Sequence, residues 1–268
     1  MKKIIGKFFN YRNDPTFYDF SKIAVEISEK DNIRSMHIGS KTVQSSMSLK
    51  NHNRLVLNYT KVIVLCLIFN PAPSKVLFLG LGGGSLQKFF FKYCEKTFLR
   101  TLEINPQVIQ VARSFFYLPD SERSEIISDD GVDYLSNKKG TYDIIISDAF
   151  DDEGLPDAFR EEQYYELCHS RLTKKGIFII NLWGSDPKSK TYIKKIKKIF
   201  NNQVLFAAAD NPGNLIVFAF RAPPKELRVD QLKERVKYLE DLTDTALMLF
   251  YNRLIESASS INGHRLNF

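Results

Sequence analysis

Lys75-Val76-Leu77-Phe78-Leu79-Gly80-Leu81-Gly82-Gly83-Gly84-Ser85 is the stretch that decides the fold. The apolar run from Val76 to Leu79 is too short for a helix and reads as a buried strand; the glycines that follow make a turn, and a helix through Tyr93 comes next. The same rhythm repeats downstream. Thr97 to Leu102 is a strand, and a helix runs from Pro106 to about Phe116, with proline at a favourable first position. Glu125-Ile126-Ile127 and Tyr142 to Ile146 are strands separated by a helix from Val132; Glu161 to Leu172 is amphipathic, and Gly176 to Ile180 is a fifth strand. Apolar strands alternating with helices predict a parallel sheet covered on both faces. Val204 to Ala208 and Leu215 to Phe220, joined by Asp210-Asn211-Pro212-Gly213-Asn214, read as an antiparallel hairpin at its edge.

Upstream, Arg54 to Phe69 reads as a buried helix stopped by Pro71 and Pro73, and Ile33 to Leu49, broken at Gly39-Ser40, reads as a hairpin. The aromatic and charged first 30 or so residues have no clear period and belong on a cap or an edge. Three regions follow: an N-terminal β-rich lid at 1–53, a Rossmann-like nucleoside-binding catalytic domain at 54–222, and C-terminal helices at 223–268. The fold class is α/β, with seven strands and a small N-terminal β-hairpin region.

With 268 residues, 44% hydrophobic and 26% charged, the chain has the composition of an ordinary globule, which excludes disordered, collagenous and coiled-coil classes. A net charge of +7 permits contact with an acidic surface without demanding it. The lysines between Lys188 and Lys198 alternate with apolar residues, so they read as the solvated face of a helix rather than a nucleic-acid footprint. Cys66, Cys94 and Cys168 lie far apart and read as buried hydrophobes in a reducing compartment. No two of His37, His52, His169 and His264 have metal-ligand spacing, so no metal is expected. The N-terminus lacks a signal-peptide pattern, and the run Val62 to Phe69 is too short to span a bilayer, which together predict a cytoplasmic protein with no membrane contact.

The chemistry gathers at the strand ends. Gly80, Gly82 and Gly84 open a helix whose first amides are unpaired, a place where a ligand can approach backbone closely. Glu103 ends the second strand, where a carboxylate can accept both ribose hydroxyls of a nucleoside. Asp129 and Asp130 end the third, either facing the adenine or capping the next helix. No Gly-Lys-Ser/Thr follows the glycines, which argues against a triphosphate loop. NAD is not excluded by the turn, but the acids at the third strand and the closing hairpin suit a sulfonium nucleoside of the S-adenosylmethionine type better. Ser147-Asp148-Ala149-Phe150-Asp151-Asp152 ends the fourth strand. A sulfonium donor leaves as a neutral thioether, so the site must supply alignment of the nucleophile and a group that takes its proton, a role open to Asp148. Asp151 can bind the distal ammonium of a polyamine, unless these acids are only a solvated loop. Trp183 either offers an aromatic face to a cationic amine or is an ordinary buried tryptophan.

From Lys75 to Trp183 the chain resembles the polyamine aminopropyltransferases, the spermidine and spermine synthases. The resemblance is carried by Leu102-Glu103-Ile104-Asn105-Pro106-Gln107-Val108-Ile109, Ser128-Asp129-Asp130-Gly131, Tyr142 through Asp148, and Gln163-Tyr164-Tyr165-Glu166-Leu167. With Thr42-Val43-Gln44-Ser45-Ser46 upstream it covers about residues 33 to 220. It implies the seven-stranded Rossmann-like fold of class I S-adenosylmethionine-dependent methyltransferases, a homodimer, and a decarboxylated S-adenosylmethionine co-substrate. It further implies that Asp148 deprotonates the attacking amine, Asp151 and Asn181 lie on the amine side, Glu103 holds ribose, Asp130 adenine, and Ile104 and Gln44 contact the donor. The expected activity is aminopropyl transfer to putrescine or a related polyamine. The alternatives are a small-molecule methyltransferase and a catalytically silent nucleoside-binding protein.

Three departures bear on that expectation. Gly83 stands where the family carries an Asp for the donor's ammonium, Asn58-Tyr59-Thr60 stands where it has Tyr-His-Glu, and Asp148-Ala149-Phe150-Asp151-Asp152 replaces Asp-Ser/Thr-Ser/Thr-Asp-Pro.

Overall fold

The computed structural model describes residues 24–137, 140–150, 154–210, 213–222, 228–258, 260–262 and 265–267. In chain order the first elements are β1 (Val25–Lys30), β2 (Ile33–Ile38), β3 (Val43–Ser48), α1 (Asn58–Ile63), α2 (Cys66–Phe69), β4 (Lys75–Leu79), α3 (Ser85–Tyr93), β5 (Phe98–Leu102), α4 (Pro106–Phe115) and β6 (Ser124–Ile127). There follow α5 (Gly131–Asn137), β7 (Tyr142–Ser147), α6 (Asp157–Arg160), α7 (Glu162–Ser170), β8 (Leu172–Trp183) and α8 (Ser189–Ile199). The last are β9 (Val204–Ala208), β10 (Asn214–Phe220), α9 (Val229–Thr243), α10 (Met248–Glu256), β11 (Ser260–Asn262) and β12 (Arg265–Asn267).

The central sheet has seven strands in the order β6-β5-β4-β7-β8-β10-β9. β4 through β8 pair in parallel, and β10 is antiparallel to both β8 and β9. The chain winds outward from β4 to β6, then returns to start β7 beside β4. That reversal is the topological switch point, where open α/β sheets bind ligands at the carboxyl ends of their strands.

The continuous apolar runs split by alternation into two cores. Val76, Phe78, Ile144, Ile146, Ile177, Ile179, Ile216 and Phe218 face α1, α2, α3, α9 and α10. Leu77, Leu79, Ile145, Phe178, Ile180, Val217 and Ala219 face α5, α7 and α8. On α8, Tyr192 and Ile196 pack inward, while Lys195 bonds the Arg160 carbonyl and Lys198 pairs with Glu162 at the surface. Cys66, Cys94 and Cys168 are buried and free. No helix among the described residues is long and apolar enough to cross a membrane.

The fold differs from the sequence reading in three places. The N-terminal hairpin has a third strand, because β1 pairs with β2 along its whole length. The helix expected from Arg54 to Phe69 is two short ones, broken between Ile63 and Cys66. The tail is not purely helical: β11 and β12 form a terminal two-stranded ladder, with Leu266 buried in the first core.

The three-stranded sheet matters to the site because it docks on the glycine loop. Val25, Met36 and Met47 share a third core with Leu81, Val108, Ala112 and Phe116. Ser85 donates to the Ser46 carbonyl at 3.1 Å. Lys88, 3% exposed, reaches from α3 to the Phe116 carbonyl at 2.7 Å and the Met47 sulfur at 3.0 Å, and burial lowers its pKa to about 7.

Candidate active site

A cavity of about 560 Å³ opens along the carboxyl rim of the sheet and under the three-stranded sheet. That volume suits a small organic ligand. Gln44, Gly80, Gly82, Glu103, Ile104, Asp129, Asp130, Asp148, Asn181 and Trp183 all line it. Gly84 does not: it caps α3 in a left-handed conformation and faces Leu118. Asp151 lies outside the described residues.

At the carboxyl end of β5, backbone amides orient Glu103. Its carboxylate accepts from Leu81 N at 3.0 Å and Asn105 N at 2.9 Å. Burial raises its pKa, and these amide bonds oppose the rise. Asp130 takes the capping role of its two readings. Its Oδ1 accepts from Val132 N and Asp133 N at 2.7 and 3.0 Å, capping α5, while the residue still lines the cavity. Asp129 accepts from Asp130 N at 3.0 Å.

Two glycines explain the shape of this part of the rim. A Cβ on Gly80, whose φ is +101°, would lie 2.3 Å from the Asp148 carbonyl oxygen, so only glycine lets β4 and β7 leave the switch point side by side. A Cβ on Gly83 would meet Phe116 Cδ1 at 2.7 Å and Ser45 Oγ at 2.8 Å. An acid at position 83 has no room between the lid sheet and α4.

Asp148 stands at the switch point, its amide bonded to Leu79 O at 2.9 Å. Its Oδ1 accepts from Asn181 Nδ2 at 2.8 Å, and Asn181 Oδ1 accepts in turn from Asn214 Nδ2 at 2.9 Å. Asn181, 2% exposed, is thus held in one amide orientation. The Tyr59 hydroxyl donates to the Gln44 carbonyl oxygen at 3.3 Å and stands beside the Asp148 carboxylate. Burial pushes Asp148 up to about 6, with the Asn181 and Tyr59 hydrogen bonds pulling the other way. Burial first, and then the Asp148 charge, keep Tyr59 well above the usual phenol range, so it stays a donor. A carboxylate so placed is ionised at neutral pH and close enough to its pKa to take a proton from an amine.

Trp183 is 37% exposed and stacks on Phe150 with ring centroids 5.6 Å apart. Of its two sequence readings, the buried one does not apply. Tyr59, Phe150, Asn58, Asp210 and Asn214 also line the cavity but carried no role in the sequence reading. Asn58-Tyr59-Thr60 was read as a departure; the sign available was a tyrosine one position away from the family's own. Among the described residues no group of acids, histidines and cysteines is arranged to hold a metal.

Fold and rim together define the class of protein: a Rossmann-like α/β protein with a cavity at the switch point. The chain belongs to the spermine/spermidine synthase family, whose domain model matches residues 57–220. It is 38% identical over 243 residues to the polyamine aminopropyltransferase of Chromobacterium violaceum, covering 90% of this chain and 93% of that one. It is also 38% identical over 240 residues to the same enzyme of Neisseria meningitidis serogroup A, covering 89% and 90%. A probable spermidine synthase from Corynebacterium glutamicum shares the fold with a TM-score of 0.71 at 18% identity, covering 83% of this chain and 86% of that one. A spermidine synthase in complex with the transition-state analogue AdoDATO does so at 0.66 and 18%, covering 88% and 82%. Human methyltransferase-like protein 13, in complex with SAH, is similar at 0.60 and 27%, covering 70% and 90%.

Proposed function

We propose that this protein transfers an aminopropyl group from decarboxylated S-adenosylmethionine to putrescine or a related polyamine. The observation that carries the reading is Asp148, a carboxylate raised to about 6 and held by Asn181 at the switch point, opposite the donor-side Glu103. The donor, when bound, supplies an electrophilic methylene next to a sulfonium. Asp148 takes the proton of the acceptor ammonium; the freed lone pair forms the N–C bond as the C–S bond breaks, and its electron pair leaves with sulfur as neutral methylthioadenosine. Asn181 keeps the carboxylate aimed, with Tyr59 beside it, Glu103 holds the ribose, and Gln44, Ile104 and Asp129 line the donor's path. With the family go a homodimer and a cytoplasmic site of action, testable by light scattering and cell fractionation.

The decisive experiment supplies purified protein with that donor and putrescine or spermidine, and measures methylthioadenosine. No product sinks the reading. Asp148→Asn is expected to cut turnover at least ~100-fold.

One observation favours a second reading, methyl transfer from S-adenosylmethionine itself. With no space for an acid at position 83, a donor that keeps its carboxylate meets no repulsion there. Calorimetry with both donors separates the two: aminopropyl transfer requires tighter binding of the decarboxylated one.

A further inference from the structure

The strand order divides the cavity into halves. Asp129, Glu103 and the glycine loop follow β6, β5 and β4; Asp148 follows β7 in the middle; Asn181, Asn214 and Asp210 belong to β8, β10 and the end of β9. With the nucleoside over the first group, the amine acceptor occupies the second. Among the described residues lining that half, Asp210 is the one carboxylate besides Asp148.

Asp210 has a defined setting. Ala209 N bonds Asn214 O at 2.8 Å at the turn end of the β9–β10 hairpin, and Asp210 follows directly. Its Oδ1 accepts from Asn58 Nδ2 at 2.8 Å. Asn58 is the neighbour of Tyr59, so consecutive residues of α1, with Cα atoms ~3.8 Å apart, stand against the two carboxylates of the acceptor half, Asn58 bonded to Asp210 and Tyr59 beside Asp148. Lys61 donates to Asn58 Oδ1 at 3.0 Å, which leaves the Asn58 amide standing between Lys61 and Asp210. The stacked Phe150 and Trp183 line the same cavity as the two acids and offer it an apolar face. Carboxylate, aromatic wall, carboxylate is the complement of a methylene chain with an ammonium at each end.

On the aminopropyl-transfer reading, we propose that Asp210 binds the second ammonium of a linear diamine acceptor and so sets selectivity for diamines over monoamines. Asp210→Asn keeps the side chain's shape and the acceptor for Asn58, and removes only the charge. With saturating decarboxylated donor, the variant's KM for putrescine should rise about 10- to 100-fold, the range of one charged hydrogen bond. KM for the donor and the rate with butylamine, which has no second ammonium, should stay within twofold of the unaltered protein. An unchanged putrescine KM overturns the proposal, as does an equal loss with butylamine. So does a putrescine KM that rises in Asp151→Asn and not in Asp210→Asn, which assigns the second ammonium to Asp151. If the unaltered protein forms no methylthioadenosine with either amine, the aminopropyl reading itself fails and takes this one with it; turnover with a diamine-blind Asp210 sinks this one alone.

Discussion

At the scale of single residues, Asp148 combines two demands that conflict. Burial raises it to about 6, which suits a proton acceptor but makes its ionised form costly in the folded state. For activity, the carboxylate must be ionised, so kcat/KM for the acceptor should fall below about pH 6, and a pH–rate profile checks that limb. For stability the sign is opposite to that of a salt-bridged acid. The folded protein holds a proton on Asp148 between roughly pH 4 and 6 that the unfolded chain has released. Stability therefore drops as pH rises through that window, and the cost is fully present above it. Asp148→Asn should stabilise the ligand-free protein by about 1–3 kcal/mol at pH 8 and by nothing at pH 3.5; urea denaturation at both values tests it. Glu103 and Asp148 were legible in the sequence because each follows an apolar strand directly. Tyr59 was not, since its role depends on α1 crossing over the ends of other strands, and nothing local to Asn58-Tyr59-Thr60 announces that crossing.

At the scale of elements, the missing acid at position 83 is a property of how α3, α4 and the lid sheet pack, rather than one exchanged residue. Phe116 and Ser45 close over Gly83, and Lys88 ties α3 to Phe116 and Met47 beneath it. Gly83→Asp should therefore destabilise by about 1–3 kcal/mol through overpacking, read as a lowered melting temperature, and should not improve use of the decarboxylated donor. The core strands and their order of appearance could be read from apolar runs bounded by glycine, proline and acids. β1 escaped because Val-Glu-Ile-Ser-Glu-Lys, with one buried residue, looks like any charged segment until β2 is beside it. The break between α1 and α2 escaped because Val64 and Leu65 are as apolar as their neighbours. β11 and β12 are three residues each, below the length at which alternation can be seen.

For the molecule as a whole, the cavity has walls from two separate sheets, which share the third core. A ligand gripped by both should hold them together. Methylthioadenosine at a hundred times its Kd should add about 2.7 kcal/mol, raising the melting temperature by roughly 5–10 °C. Glu103→Ala should remove most of that shift; an identical shift in the variant would show the nucleoside bound elsewhere. The edge hairpin's share in the cavity could not be read from one dimension, because Asn58, Asp210 and Asn214 reach the same rim only when α1 and that hairpin converge.

That hairpin has one further consequence. Asp210 is exposed and Gly213 and Asn214 sit in or beside the turn, outside both hydrophobic cores, whereas Asp148 leaves a strand buried on each side. On the aminopropyl-transfer reading, a substitution at Asp210 alone therefore leaves folding and proton removal almost untouched while it alters which amine is accepted. Descendants of such a gene can change their diet without rebuilding their engine, and an engineer seeking new acceptors would begin there.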